Sequence, residues 1–138
     1  MKKKGFTCSC FDLLHAGHVK MLQDARNQCD YLIVGLQTDP TVDRPDTKNK
    51  PIQSLEERQI MISGIRFVDE IVIYTTEGQL YEYLRDYPPD VRILGSDYKG
   101  KDFTGKDLNI DIYYHNRDHD WSTTNLRKRI IEKSEKKA

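Results

Sequence analysis

A chain of 138 residues can build one hydrophobic core but not two, so residues 1–138 are expected to form a single domain. Lys plus Arg and Asp plus Glu each number 22, which removes the net field that would draw the chain to nucleic acid or an anionic membrane. Charged residues are abundant and no apolar run approaches a membrane span. Met1-Lys2-Lys3-Lys4 opens like a signal peptide but has no long apolar region behind it, so a cytoplasmic protein is expected. The three cysteines, Cys8, Cys10 and Cys29, are an odd set without further ligands at metal spacing. They read as small buried side chains rather than a disulfide framework or a metal site.

Taken in order, Thr7 to Cys10 alternates small and bulky residues and reads as the end of a buried strand. A turn at Asp12 then feeds a helix from about Gly17 to Gln28, with Val19, Leu22, Ala25 and Cys29 on one face. Tyr31 to Leu36 is a continuous apolar strand of the kind covered on both faces. Asp39 to Lys50, with Pro40 and Pro45, reads as a mobile loop. Ser54-Leu-Glu-Glu57 has the spacing of a capping box and opens a helix to about Arg66. Asp69 to Tyr74 is a third strand, Gln79 to Tyr87 a helix stopped by Pro88-Pro89, and Val91 to Leu94 a fourth strand ending at Gly95-Ser96-Asp97. Ile110 to Tyr114 is a fifth strand, and Ser122 caps a last helix whose tail, Glu132 to Ala138, is expected to fray. Alternating strands and helices indicate an α/β fold, a Rossmann-like, doubly wound, parallel five-stranded sheet. Ligands of such sheets bind beyond the carboxyl ends of the strands.

The residues able to do chemistry fall at those ends. His15 and His18 stand where the first strand hands over to a helix, and at three-residue spacing their imidazoles can point the same way. Free amides at that helix start attract phosphate, and Gly17 leaves the backbone approachable. Ser122, Thr123 and Thr124 bring hydroxyls to a second helix start, with Arg117 upstream, although Ser122 is equally able to act as an ordinary N-cap. Asp12 reads first as a turn-capping residue, with orientation of His15 or a water-mediated metal contact as weaker alternatives. His115 is expected at a strand end with no catalytic task, and His119 lies near the site without a defined role.

Phe11-Asp-Leu-Leu-His-Ala-Gly-His18 resembles the H-x-G-H signature of the cytidylyltransferase-like nucleotidyltransferases, and most of all the glycerol-3-phosphate cytidylyltransferases. Arg66-Phe-Val-Asp-Glu70 is similar to that group's R-Y-V-D-E, and Gly95-Ser-Asp-Tyr98 to its G-D-D-W. Arg117 with Ser122-Thr-Thr124 matches its R-T-x-G-I-S-T-T, with Asp118-His-Asp-Trp121 replacing the middle. The resemblance implies that His15, His18, Lys48 and Arg117 are catalytic. It also implies that Thr7, Ser9, Cys10, Phe11, Gly17, Arg66, Gly95, Asp97, Arg117, Ser122, Thr123 and Thr124 contact the nucleotide, and that Lys48 and Lys50 meet the acceptor. Ser9 stands where the group usually has glycine, and either crowds the nucleotide or contacts it through its hydroxyl. The implied reaction is cytidylyl transfer from CTP to a phosphorylated small alcohol, sn-glycerol 3-phosphate first, giving CDP-glycerol and pyrophosphate. Mg²⁺ would accompany the nucleotide, and a homodimer is implied. Ala16 and Ser122-Thr-Thr-Asn125 are also similar to heptose 1-phosphate adenylyltransferases, so ATP and a sugar 1-phosphate form the alternative. A nucleotide-binding protein without turnover is the second alternative.

Overall fold

The computed structural model describes residues 2–136. Five parallel strands form one sheet in the order β3-β2-β1-β4-β5, with β1 at Lys4–Ser9, β2 at Tyr31–Gln37, β3 at Glu70–Tyr74, β4 at Val91–Gly95 and β5 at Asp111–His115. The α-helices are α1 (Ala16–Asn27), α2 (Leu55–Ser63), α3 (Glu77–Asp86) and α4 (Thr123–Lys136). This is the Rossmann-like architecture expected from the alternation of elements.

Helices cover both faces, and the pleat of β2 shows how. Leu32, Val34 and Leu36 point to one side, where they meet Leu22 and Ala25 of α1 and Ile62 of α2. Ile33 points to the other and joins Phe6, Tyr74 and the α3 residues Leu80 and Leu84. All these side chains are buried. Of the α1 face, Leu22, Ala25 and Cys29 are buried as expected, while Val19 is half-buried.

Element ends follow local chemistry. The threonine hydroxyl of Thr76 accepts from the Gln79 N–H while the Gln79 side chain returns to the Thr76 N–H, so α3 starts at Glu77, two residues before the expected Gln79. Ser54 caps α2 by accepting from the Glu57 N–H, but Gly64 closes that helix, so it stops short of Arg66. The expected loop over 39–50 contains a short 3-10 turn at Pro40–Val42, capped by Asp39. The last helix remains helical through Lys136, past the Glu132 where fraying was expected; Lys137 and Ala138 lie outside the described residues.

The ladder between β1 and β4 decides where a ligand can enter. Only Gly5–Val91 and Phe6–Arg92 pair in register, and beyond them the strands separate. Their connections leave in opposite directions, which opens a crevice at the carboxyl ends. Thr7 bridges its lower rim, its hydroxyl donating to the Ile93 carbonyl at 3.1 Å.

Candidate active site

A cleft of about 630 Å³ occupies this switch point, bounded by Thr7 to Asp12, His18, the 44–51 loop, Gly95, Tyr98 and the start of α4. The turn from β1 into α1 is tight. Phe11 and Leu13 both hold left-handed backbone, φ 52° and 53°, a conformation that costs a side-chain-bearing residue about 1 kcal/mol or more. Phe11 is fully buried beside His18, and the Leu13 N–H donates to the Gln53 side chain.

The histidines cap their own helix. His15 Nδ1 accepts from the Gly17 N–H at 3.1 Å, and His18 Nδ1 accepts from the His15 N–H at 3.2 Å. This reciprocal pattern is a capping box made from imidazoles, and it brings the rings to 3.9 Å between centroids. With both Nδ1 lone pairs engaged by backbone donors, each neutral ring carries its proton on Nε2. Both rings favour that neutral form. Burial, then the positive charge of Arg117, lowers the pKa of His15, and burial followed by the neighbouring His15 takes His18 down to about 3. At neutral pH the pair therefore offers two N–H donors without carrying a charge.

Gly17 also meets a packing requirement. A Cβ there would stand 2.9 Å from Cε1 of both His15 and His119, so the missing side chain makes room for two imidazoles. His119 stacks on Trp121, accepts the Trp121 N–H on Nδ1, and keeps a buried, unpartnered Nε2. A third imidazole thus lies against the helix start, in the stretch where the sequence departs from R-T-x-G-I-S-T-T. Arg117 donates to the Trp121 carbonyl close by.

Of the remaining expected residues, Thr7, Ser9, Cys10, Phe11, Lys48, Gly95, Thr123 and Thr124 line the cleft. Ser9 accepts from the Phe11 N–H, a turn contact. Ser122 accepts from the Asn125 N–H and is the N-cap of α4. Arg66 stands outside the cleft, exposed, with its guanidinium over the Phe67 ring. Lys50 and Asp97 are exposed and do not line the cleft either. Lys50 sits near Asp39, whose carboxyl is held low by the Thr41 hydroxyl and N–H and then by this lysine.

Asp12 and Arg58 tie the site together. Asp12 is no local turn cap: its carboxylate accepts from the N–H groups of Ile52 and Gln53, forty residues on, and pairs with Arg127 of α4 at 3.1 Å. Its own carbonyl accepts from Thr123. With both oxygens engaged it is poorly placed to ligate a metal directly, and among the described residues no cluster of three or more His, Cys, Asp or Glu could hold one. Arg58 is 2% exposed and donates to the carbonyls of Cys10, Gln37, Thr38 and Gln53. His115 sits at the end of β5, its Nδ1 2.7 Å from Asp24 on α1.

The family described as cytidylyltransferase-like matches residues 6–129. The chain belongs to that family. Among curated members it is 42% identical over 129 residues to the bifunctional protein HldE of Campylobacter concisus, across 94% of this chain and 27% of that protein. It is 46% identical over 107 residues to the HldE of Wolinella succinogenes, across 78% and 22%. The chain thus spans about a quarter of the length of the curated relatives it matches. In structure it resembles a lipopolysaccharide core biosynthesis protein from Thermoplasma volcanium, at TM-score 0.61 and 22% identity, over 97% of this chain and 90% of the other. It also resembles the pantoate-beta-alanine ligase of Francisella tularensis, at TM-score 0.63 and 20% identity, over 91% and 65%. At those identities the structural likeness speaks for the fold. Among the described residues of this cytidylyltransferase-like chain, no helix is long and apolar enough to cross a membrane.

Proposed function

We propose that this chain transfers an adenylyl group from ATP to a sugar 1-phosphate and releases pyrophosphate. The observation that carries nucleotidyl transfer is the paired Nε2–H groups of His15 and His18, uncharged and fixed by their own helix cap. In this reading an acceptor phosphate oxygen attacks the α-phosphorus in line, the bond to the β-phosphate oxygen breaks, and pyrophosphate leaves with the electron pair. The nucleophile is already ionised at neutral pH, so no general base is required. His15 and His18 donate to the α-phosphate oxygens as charge accumulates on them, a preorganised arrangement that needs no movement during reaction. Thr123, Thr124 and the amides opening α4 face the same phosphates, with Lys48 and Arg117 adding positive charge. Mg²⁺ would arrive on the triphosphate, which suits an ion that keeps most of its ligands from water and substrate.

The choice of ATP over CTP rests on the relatives. HldE proteins match this chain across most of its length, and the H-A-G-H and Ser122-Thr-Thr-Asn125 strings are similar to those of heptose 1-phosphate adenylyltransferases. The order drawn from the sequence alone, CTP with sn-glycerol 3-phosphate first, is therefore reversed. Pyrophosphate release measured with each of the four nucleoside triphosphates, against sn-glycerol 3-phosphate and a panel of sugar 1-phosphates, tests the reading. Release from ATP with a sugar 1-phosphate is expected. Release confined to CTP and sn-glycerol 3-phosphate would restore the first order, and nucleotide binding without release from any pair would reduce the chain to a sensor.

A further inference from the structure

The cleft has two ends, and the reaction just proposed uses only one. Its floor, away from the histidines, holds Arg92 of β4, 3% exposed and level with Phe6 of β1. The guanidinium donates through Nη1 to the Thr104 carbonyl and lies over the Phe103 ring, 5.2 Å from its centroid. Its Nε is buried with no hydrogen-bond partner. Among the described residues no carboxylate stands within ion-pairing distance of it. Of the acids lining that end, Glu77 has one oxygen on Arg44 at 2.9 Å and the other on the Thr104 hydroxyl at 3.1 Å, and the exposed Asp102 pairs with Lys106 at 3.3 Å. Cys8 and Tyr74 stay un-ionised, because burial raises both.

A buried charge without a counter-charge costs several kcal/mol, and arginine is almost never fully buried unless paired. Here the unpaired guanidinium borders an open cleft, so a ligand can supply the missing charge. We infer that Arg92 determines acceptor specificity by holding an oxyanion, a carboxylate or a second phosphate, at the end of the acceptor remote from the phosphate that reacts. This rests on the reading that His15 and His18 mark the reacting phosphate. From Phe6, level with Arg92, to Cys10 at the histidine turn is four residues, about 13 Å at the usual strand rise. A phosphorylated sugar reaches across most of that span. Planar, forked donors also suit a carboxylate or phosphate better than scattered hydroxyls. The acceptor is then an acidic or doubly phosphorylated sugar rather than a neutral heptose.

Dissociation constants for three probes on the full chain test this: glucose 1-phosphate, glucuronic acid 1-phosphate and glucose 1,6-bisphosphate, by titration calorimetry at fixed ionic strength. At least one of the two-anion probes is expected to bind ten-fold or more tightly than glucose 1-phosphate, and which one separates carboxylate from phosphate. Arg92→Met abolishes the preference, Arg92→Lys keeps part of it, and ATP affinity changes in neither. Equal binding of the three probes, failure of all three to bind, or a preference that survives in Arg92→Met overturns the inference. If Arg92→Met does not fold, the wild-type series and Arg92→Lys still decide, since an arginine that merely pins the 102–106 loop gives no preference among probes. The readout is binding, so absence of nucleotidyl transfer with every nucleotide would remove the proposed reaction and leave this result standing. Transfer without any preference would do the reverse.

Discussion

His18 joins structure and chemistry in one ring. Its Nδ1 completes the cap of α1, and its Nε2–H is the donor assigned to the α-phosphate. Removing one preorganised donor of this kind costs a factor of about 10² to 10³ in turnover. His18→Ala is expected to lose that much in a pyrophosphate-release assay, with near-normal turnover excluding the pair from the reaction. The same variant should change the response to acid. A histidine held near pKa 3 in the folded state and near 6.5 when unfolded lets the unfolded chain bind more protons between those values. Its contribution to stability is complete above about pH 6.5 and is lost as the pH falls toward 3. Protonation would also place hydrogen on Nδ1 and break the cap bond to the His15 N–H. Urea unfolding between pH 7 and pH 4 should therefore show a steeper loss of stability in the wild type than in His18→Ala. Parallel profiles would show that His18 is not held neutral.

Between elements, the cleft is fastened by polar side chains reaching across the sequence. Arg58 gathers the carbonyls that end β2 and begin two loops, and Asp12 holds the 52–53 amides and α4. Arg58→Met leaves several carbonyls at the site without their donor, and a loss of about 3 kcal/mol or more is expected from denaturant unfolding. A change below about 1 kcal/mol would mean that water replaces the guanidinium freely. These fastenings also mark the limit of what the sequence discloses. The five strands, the histidine turn and the Ser122 cap follow from periodicity and local spacing, which the chain displays over a few residues. Apart from its bond to Gln53, five residues away, Arg58 acts at separations of 20 to 48 residues, and Asp12 at 40 to 115. No local pattern announces such bonds, although an arginine set among Val91, Ile93 and Leu94 is itself a signal that a buried strand carries a charge for a reason. Arg66 and Asp97 stand in strings that match the family's and Lys50 in a basic loop, and their distance from the cleft depends on where α2 stops and how two loops turn.

At the scale of the molecule, the sheet separates two apolar layers that share no buried side chain. One joins α1 and α2 to Leu32, Val34 and Leu36; the other joins α3 to Phe6, Ile33 and Tyr74. The strands themselves couple the layers, since β2 sends Leu32, Val34 and Leu36 into one and Ile33 into the other. If the sheet transmits stability across itself, damage to either layer must lower the stability of the whole. Ile62 and Leu84 are both fully buried, one in each layer, and truncating either to alanine should cost about 2 to 5 kcal/mol. Ile62→Ala and Leu84→Ala are each expected to shift one cooperative urea transition, with the slope unchanged and fluorescence and circular dichroism coincident. The lone tryptophan, Trp121, stacks on His119 at the mouth of the site, so its fluorescence reports that region directly. A Leu84→Ala transition seen in circular dichroism before Trp121 responds would show that the α3 layer opens while the histidine layer stays folded, and that the two faces of the sheet are separate cooperative units.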